Sequence, residues 1–198
     1  MCEKKVNSVR AIFLDADGVL WQDIGSGGIL TGKSQSIENL KMLSSRVHKK
    51  YIKIIISNQT LAARKQINYL KFRYFVRRFF KRLIRSKLIN GYAVCYHHPN
   101  SKNFYLRKNC RCRKPLPGLI HAMAQKYSIT LSRSFLIGDR ITDIQSGNAA
   151  GIINLYLIVN TRMFESNANL NIGVVYQRFI PVKSLEEFSL IKDLQNDY

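Results

Sequence analysis

Acidic side chains are scarce in this sequence. Among 198 residues there are 12 Asp and Glu against 32 Lys and Arg, a formal net charge of +20. Between Asn39 and Gly138 there is no carboxylate side chain at all, while 23 Lys or Arg fall in that stretch. Such an excess points to anionic partners, whether nucleic acid, a membrane surface or phosphorylated metabolites, without choosing among them. Long apolar runs are missing too. None approaches the roughly 20 residues a membrane-crossing helix requires. The run Ala11-Ile12-Phe13-Leu14 is too short for the core of a signal peptide, so a cytoplasmic location is expected. No repeat, low-complexity tract or linker divides the chain, and residues 1–198 are expected to form a single domain. A 46% hydrophobic share with 11% aromatics excludes intrinsic disorder.

Short apolar runs alternate with helical patterns. Ala11–Leu14, Tyr51–Ile56, Tyr92–Cys95, Phe135–Ile137 and a segment within Ile152–Val159 read as strands, with Val174-Val175 as a sixth. Ser36–Val47, Arg64–Leu88, Pro117–Tyr127 and Thr142–Ala150 read as helices, and Ser184–Glu187 opens a terminal one with a capping-box pattern. Gly25-Ser-Gly-Gly28 lies in a predicted hairpin or flap, where Asp23 is expected at the surface. The alternation predicts an α/β fold, a three-layer α/β/α Rossmann-like parallel sheet covered on both faces. Ligands of such sheets gather beyond the carboxyl ends of the strands. Asp15, Ser57 and Asp139 each follow a predicted strand.

Four of the twelve acids form two pairs, Asp15/Asp17 and Asp139/Asp143. Two carboxylates two residues apart at a strand end suit a nucleophile with a general acid/base beside it. Bringing both pairs together would raise their pKa values by mutual repulsion, a conflict that a hard divalent cation such as Mg²⁺ resolves. Taken singly, either pair could equally be turn residues.

Three of the four cysteines are clustered. Cys95-x-His97 is followed, after twelve residues, by Cys110-x-Cys112. Thiolates plus imidazole in two close pairs suit a tetrahedral structural Zn²⁺. The polar, basic segment Pro99–Asn109 between them is a loop in need of an anchor. His98 could replace His97, although the spacing favours His97. Cys2 reads as a plain terminal thiol, and His48 and His121 as helix-surface residues.

These segments resemble a known family. Phe13-Leu-Asp15-Ala-Asp17-Gly-Val-Leu20, Ile55-Ile-Ser57-Asn58, Arg113-Lys114-Pro-Leu-Pro-Gly118 and Gly138-Asp139-Arg-Ile-Thr-Asp143 resemble, in order, the four motifs of the haloacid dehalogenase superfamily, most of whose members are phosphatases. The resemblance implies that Asp15 is the nucleophile forming an aspartyl-phosphate and Asp17 the general acid/base. It implies that Ser57, Asn58 and Lys114 bind the phosphoryl group. Mg²⁺ would be held by Asp15, the Asp17 backbone carbonyl, Asp139 and Asp143, the last directly or through water. The cluster Cys95-Tyr-His-His-Pro99 with Cys110-Arg-Cys-Arg-Lys114, together with Asn58-Gln59, is similar to the branch containing D-glycero-D-manno-heptose 1,7-bisphosphate and histidinol-phosphate phosphatases. There a zinc loop, here about residues 95–112, covers the site in place of a large cap domain, and the residue matching Arg113 contacts substrate. The chain departs from that branch at Ala16, Val19 and Thr60-Leu61, positions bordering the leaving-group pocket.

The resulting expectation is Mg²⁺-dependent hydrolysis of a small sugar phosphate or bisphosphate, with no membrane span. Alternatives are a histidinol-phosphate phosphatase, a phosphatase of nucleic-acid ends, and a non-catalytic zinc-containing anion-binding module. Residues 64–88 carry Phe72, Phe75, Phe79 and Leu83 on one face and basic residues on the other. Packing on the sheet is the favoured reading of that helix. A nucleic-acid partner is permitted by the charge but not favoured.

Overall fold

The computed structural model describes residues 9–21, 33–64, 67–159 and 179–195. The apolar runs form six parallel strands: β1 (Arg10–Leu14), β2 (Tyr51–Asn58), β3 (Gly91–Cys95), β4 (Phe135–Gly138), β5 (Asn154–Ile158) and β6 (Ile180–Val182). Their order across the sheet is β3-β2-β1-β4-β5-β6. The chain winds outward from β1 to β3, then returns to the other side of β1 with β4. The gap between β1 and β4 is therefore the point where the winding reverses, and a crevice opens there at the strand ends. Register sets its level: Leu14 pairs with Ile55 on one side and with Ile137 on the other. Asp15, Ser57 and Asp139, each one or two residues further on, thus emerge at the same height.

Alternate residues of β1 supply two separate cores, as the two-residue period of a strand requires. Ile12 and Leu14 face one cluster with α1 (Lys33–Arg46), α3 (Tyr69–Arg85) and α6 (Leu185–Ser189). Ala11 and Phe13 face the other with α4 (Gly118–Tyr127) and α5 (Ile141–Ala149). The three expected layers are present. A short helical turn, α2 (Leu61–Arg64), a 3₁₀ turn at Leu131–Arg133 and a terminal turn, α7 (Lys192–Gln195), complete the described elements. Among the described residues no helix is long and apolar enough to cross a membrane.

Most boundaries match the sequence reading within a few residues. The largest difference is the long basic helix, which starts at Tyr69 rather than Arg64. Asn68 explains it: its backbone is extended and its side chain accepts from the Lys71 amide, satisfying a donor that the first helical turn leaves open. The buried stripe is Phe72, Val76, Phe79, Phe80 and Leu83, with Phe75 only partly covered. At its far end Lys87 takes φ 57° and the Leu88 amide donates to the Leu83 carbonyl, closing the helix without a glycine. His48 lies beyond α1 in a turn, where its Nδ1 accepts from the Lys50 amide, while His121 is exposed as expected. The sixth strand is Ile180–Val182; Val174-Val175, like Asp23, Gly25–Gly28 and Cys2, lies outside the described residues.

Ser184 caps α6 by accepting from the Glu187 amide, and Glu187 in turn accepts from the Lys183 amide. The capping-box signal thus marked a real helix start.

Phe80 is fully buried and stacks on Tyr92 at 4.8 Å between ring centroids. Phe80→Ala is expected to lower unfolding free energy by about 3–5 kcal/mol in urea titration. A loss below about 1 kcal/mol would mean that α3 is not packed on the sheet as described.

Candidate active site and cysteine-histidine cluster

The strand ends bring the scattered acids together. The Asp15 amide donates to the Ile137 carbonyl at 3.0 Å, extending the β1–β4 ladder one residue past the strand and fixing where the Asp15 side chain leaves it. Carboxylate oxygens of Asp15, Asp139 and Asp143 all lie within 4.8 Å of one another. Glycines permit this crowding. A Cβ on Gly18 would sit 2.0 Å from Asp139 Oδ2, and one on Gly138 would sit 2.3 Å from the Asp143 Cβ. Gly18 also holds φ 78°, a conformation costly for other residues.

Lys114 enters this cluster from the loop before α4. Its Nζ lies 2.6 Å from Asp15 Oδ1 and 2.5 Å from Asp143 Oδ1, with both partners and the lysine almost wholly buried. It also donates to the Ile56 carbonyl at 3.3 Å. Burial alone would drive the ammonium toward neutrality, but Asp143 and Asp15 outweigh it and hold Lys114 charged above its usual range. Burial pushes the Asp15 carboxyl well above the ordinary carboxylate range, and the neighbouring Asp143 and Asp139 add to the rise against the pull of Lys114. Three carboxylates share a single buried ammonium, with the largely exposed Arg140 guanidinium 4.0 Å from Asp139, and their mutual repulsion favours a further cation. Their hard oxygens suit a divalent cation of the Mg²⁺ or Ca²⁺ kind.

Asn58 holds the lysine in place. Its side-chain amide accepts from the Lys114 amide and donates to the Lys114 carbonyl, both at 3.2 Å. That clip joins the end of β2 to the loop. Asp143 does two jobs, since its Oδ2 accepts from the Arg140 amide at 3.0 Å and so caps α5.

A cavity of about 270 Å³ opens over these groups. Asp15, Asp17 and Asp143 line one side, and Arg64, Arg113 and Arg140 bring three guanidinium groups. Carboxylates with a buried lysine beside several arginines can accept a doubly charged phosphoryl group together with a cation. Asp17 is held by two donors: Trp21 Nε1 reaches its Oδ1 at 2.7 Å and Gln59 Nε2 its Oδ2 at 2.8 Å. Gln59 also donates to the Ser57 hydroxyl at 2.9 Å, and Ser57 is fully buried.

The structure therefore brings Asp15, Asp17, Ser57, Asn58, Arg113, Lys114, Asp139 and Asp143 to one end of the sheet. Trp21, Arg64 and Arg140 were not picked out from sequence. Arg140 lies inside the fourth motif, a signal that could have found it. Trp21 stands four residues after Asp17, but only the tight turn with a bridge between residues 17 and 21 makes that spacing meaningful.

The second constellation lies at the end of β3. The sulfurs of Cys95, Cys110 and Cys112 are 3.2–3.6 Å apart. His97 Nδ1 is 3.8 Å from Cys95 Sγ and 3.5 Å from Cys112 Sγ. Bonds of about 2.0–2.3 Å to a central tetrahedral ion give ligand–ligand edges of about 3.3–3.8 Å. The four side chains fit such an ion, and the sulfurs are too far apart for disulfides. His98 is turned away, its Nε2 3.5 Å from an Arg64 nitrogen, so it is His97 that lies among the three thiols. Burial and nearby Lys108 lower the His97 pKa, favouring the neutral ring a metal needs.

Comparison with known proteins agrees with this geometry. A HAD-hydrolase-like family model matches residues 111–157. A D-glycero-alpha-D-manno-heptose-1,7-bisphosphate 7-phosphatase of Photorhabdus laumondii is 31% identical over 157 residues, covering 77% of this chain and 84% of that one. A D-glycero-beta-D-manno-heptose-1,7-bisphosphate 7-phosphatase of the same organism is 30% identical, covering 83% of this chain and 90% of the other. Among solved structures, a D,D-heptose 1,7-bisphosphate phosphatase from B. bronchiseptica, determined with magnesium and phosphate, superposes with a TM-score of 0.66 at 21% identity, covering 91% of this chain and 96% of that one.

The crowding at Gly18 is directly testable. Gly18→Ala is expected to weaken divalent-cation binding tenfold or more by titration calorimetry, because the new methyl must displace Asp139. Gly151, at φ 85° but with open space around it, is the control. Gly151→Ala should cost about 1–2 kcal/mol of stability and leave cation binding unchanged. Equal effects of the two on cation binding would mean that Asp139 is not set by Gly18.

Proposed function

Since this chain belongs to the heptose-1,7-bisphosphate phosphatase family of haloacid dehalogenase-like hydrolases, we propose that its strand-end pocket hydrolyses a phosphomonoester of a phosphorylated sugar, with heptose 1,7-bisphosphate as the substrate its relatives' names suggest. The observation that carries this reading is Asp15, at the tip of the central strand, paired with buried Lys114 and facing a cavity with three arginines.

Asp15 attacks phosphorus through a carboxylate oxygen, forming an acyl-phosphate (mixed anhydride) bond as the bond from phosphorus to the sugar oxygen breaks. Asp17 gives its proton to the departing sugar oxygen. It then takes a proton from water, whose oxygen attacks phosphorus and releases inorganic phosphate and Asp15. Lys114 stays charged throughout and meets the growing negative charge on the phosphoryl oxygens. Ser57 binds the same group once its hydroxyl is turned from Gln59, while Asn58 acts chiefly by holding the Lys114 backbone. Arg113, which donates to the His97 carbonyl at 3.2 Å, presents its guanidinium at the pocket and contacts the substrate. Trp21 and Gln59 keep Asp17 beside the reacting centre.

Asp15, Asp139, Asp143 and the Asp17 backbone carbonyl would hold Mg²⁺, which when bound supplies charge neutralisation between these carboxylates and the substrate phosphate. Cys95, His97, Cys110 and Cys112 would hold a structural Zn²⁺. Bound there, it would tie the end of β3 to the segment carrying Arg113 and Lys114. Thiols used in this way suit a reducing compartment, in line with a cytoplasmic enzyme.

Phosphate release from D-glycero-D-manno-heptose 1,7-bisphosphate with Mg²⁺ is the test. Asp15→Asn should lower turnover roughly 10⁴-fold or more while circular dichroism stays unchanged. Activity within about tenfold of wild type would reject Asp15 as nucleophile. For the cluster, metal analysis should find one zinc per chain, and Cys112→Ser should lose it with a fall in melting temperature. A zinc-free protein of undiminished stability would contradict the assignment.

A further inference from the structure

The outer face of α3 has no role in the chemistry above. Its inner stripe packs on the sheet, as the sequence suggested, but packing does not account for what lies opposite. Lys71, Arg73, Arg77, Arg78, Lys81, Arg82 and Arg85 are all exposed. Tyr74, 64% exposed, stands among them and accepts from Arg78 at 3.4 Å. Tyr74, Arg77, Arg78, Lys81, Arg82 and Arg85 line a shallow cleft of about 710 Å³.

A solvated helix face is ordinarily laced with opposite charges four residues apart. Here Arg73–Arg77, Arg77–Lys81, Arg78–Arg82 and Lys81–Arg85 are like-charge pairs at that spacing, which destabilise a helix. None of the ion pairs among the described residues includes an α3 cation. The face is self-repelling until an anion covers it.

We propose that this face of α3 is a docking surface for a nucleic-acid strand. Cations recur along the helix in steps of about 6 Å over about 18 Å, a linear array suited to a continuous phosphodiester backbone rather than to one small anion. Arginine outnumbers lysine on it, five to two, and guanidinium groups bind phosphate bidentately and stack on bases. Exposed Tyr74 adds a stacking platform at the N-terminal end of the cleft that these cations line. A membrane surface is disfavoured because the apolar side of α3, which would have to enter the lipid, is already buried against the sheet.

Fluorescence anisotropy of a 5′-fluorescein-labelled oligo(U) of about 20 nucleotides, titrated from about 50 to 300 mM KCl, tests the proposal. The variant combining Arg77→Gln, Arg78→Gln, Lys81→Gln and Arg82→Gln should bind at least tenfold more weakly and lose about 2–3 units of the salt slope. Its melting temperature should be equal to or above wild type, and its phosphatase activity unchanged. A charge-matched control combining Lys41→Gln, Lys49→Gln, Lys126→Gln and Arg133→Gln should change affinity less than threefold. Arg78→Gln alone should lower the slope by about 0.7. Equal losses in the two fourfold variants would overturn the proposal by showing that net charge alone drives binding. So would absence of oligo(U) binding at the lowest salt. So would an α3 variant that loses binding only to anionic vesicles containing phosphatidylserine.

Discussion

The buried ammonium of Lys114 is the interaction on which this site depends. Removing a charge from water is expensive, and only well-placed opposite charges offset it. Asp15 and Asp143 supply those charges at 2.6 and 2.5 Å, and they come from different parts of the chain. Asp15 ends the central strand, while Asp143 caps the helix after β4. Lys114 therefore locks the two sides of the crevice together at the level where phosphoryl chemistry takes place. Asp139 joins the cluster and meets the largely exposed Arg140 guanidinium at 4.0 Å, so three carboxylates share a single buried ammonium and the site suits an additional cation.

Two residues before Lys114 begins a second constellation, of soft side chains, that could anchor the same segment. Cys112 precedes it by two residues, and Cys95 is the last residue of β3. A single ion bound by Cys95, His97, Cys110 and Cys112 would fasten a long irregular segment to the edge of the sheet, and Asn58 fastens it again at Lys114 itself. An ion bound there would make the cysteine cluster and the strand-end pocket mechanically continuous. The loop needs few apolar contacts of its own; Leu106 is its one large side chain buried in the main core. Hydrogen bonds such as that from Ser101 to the Ala63 carbonyl at 2.9 Å hold the loop, and ligation of an ion would add to them.

Much of this was legible in the sequence because the signals are local. A strand followed at once by Asp15-Ala-Asp17-Gly18, or by Gly138-Asp139, states both the residue and its place at a strand end. Spacing likewise marks the four side chains that the fold gathers in the cysteine cluster. Interactions between distant segments were not legible. Nothing adjacent to Asn58 says that its amide will pair with the Lys114 backbone fifty-six residues later, and it reads from sequence as a ligand to phosphate. Arg64 continues a helical pattern in the sequence, yet it closes the short turn α2, and the Asn68 cap begins α3 as a new helix. Phe75 fits the apolar period yet is only partly covered, because the neighbouring Val76 and Phe80 take the face turned to the sheet. The carboxylate-free stretch was visible at once. Its meaning depended on which cations are exposed, and that required the fold.

The central claim is that Asp15 carries the phosphoryl group during turnover. Wild-type protein turning over heptose 1,7-bisphosphate with Mg²⁺ can be acid-quenched and reduced with borohydride, which converts an aspartyl-phosphate to homoserine. Peptide mass spectrometry should then find homoserine at position 15 and nowhere else. Unmodified Asp15 in a sample that is releasing phosphate, or homoserine at a different aspartate, would contradict the account.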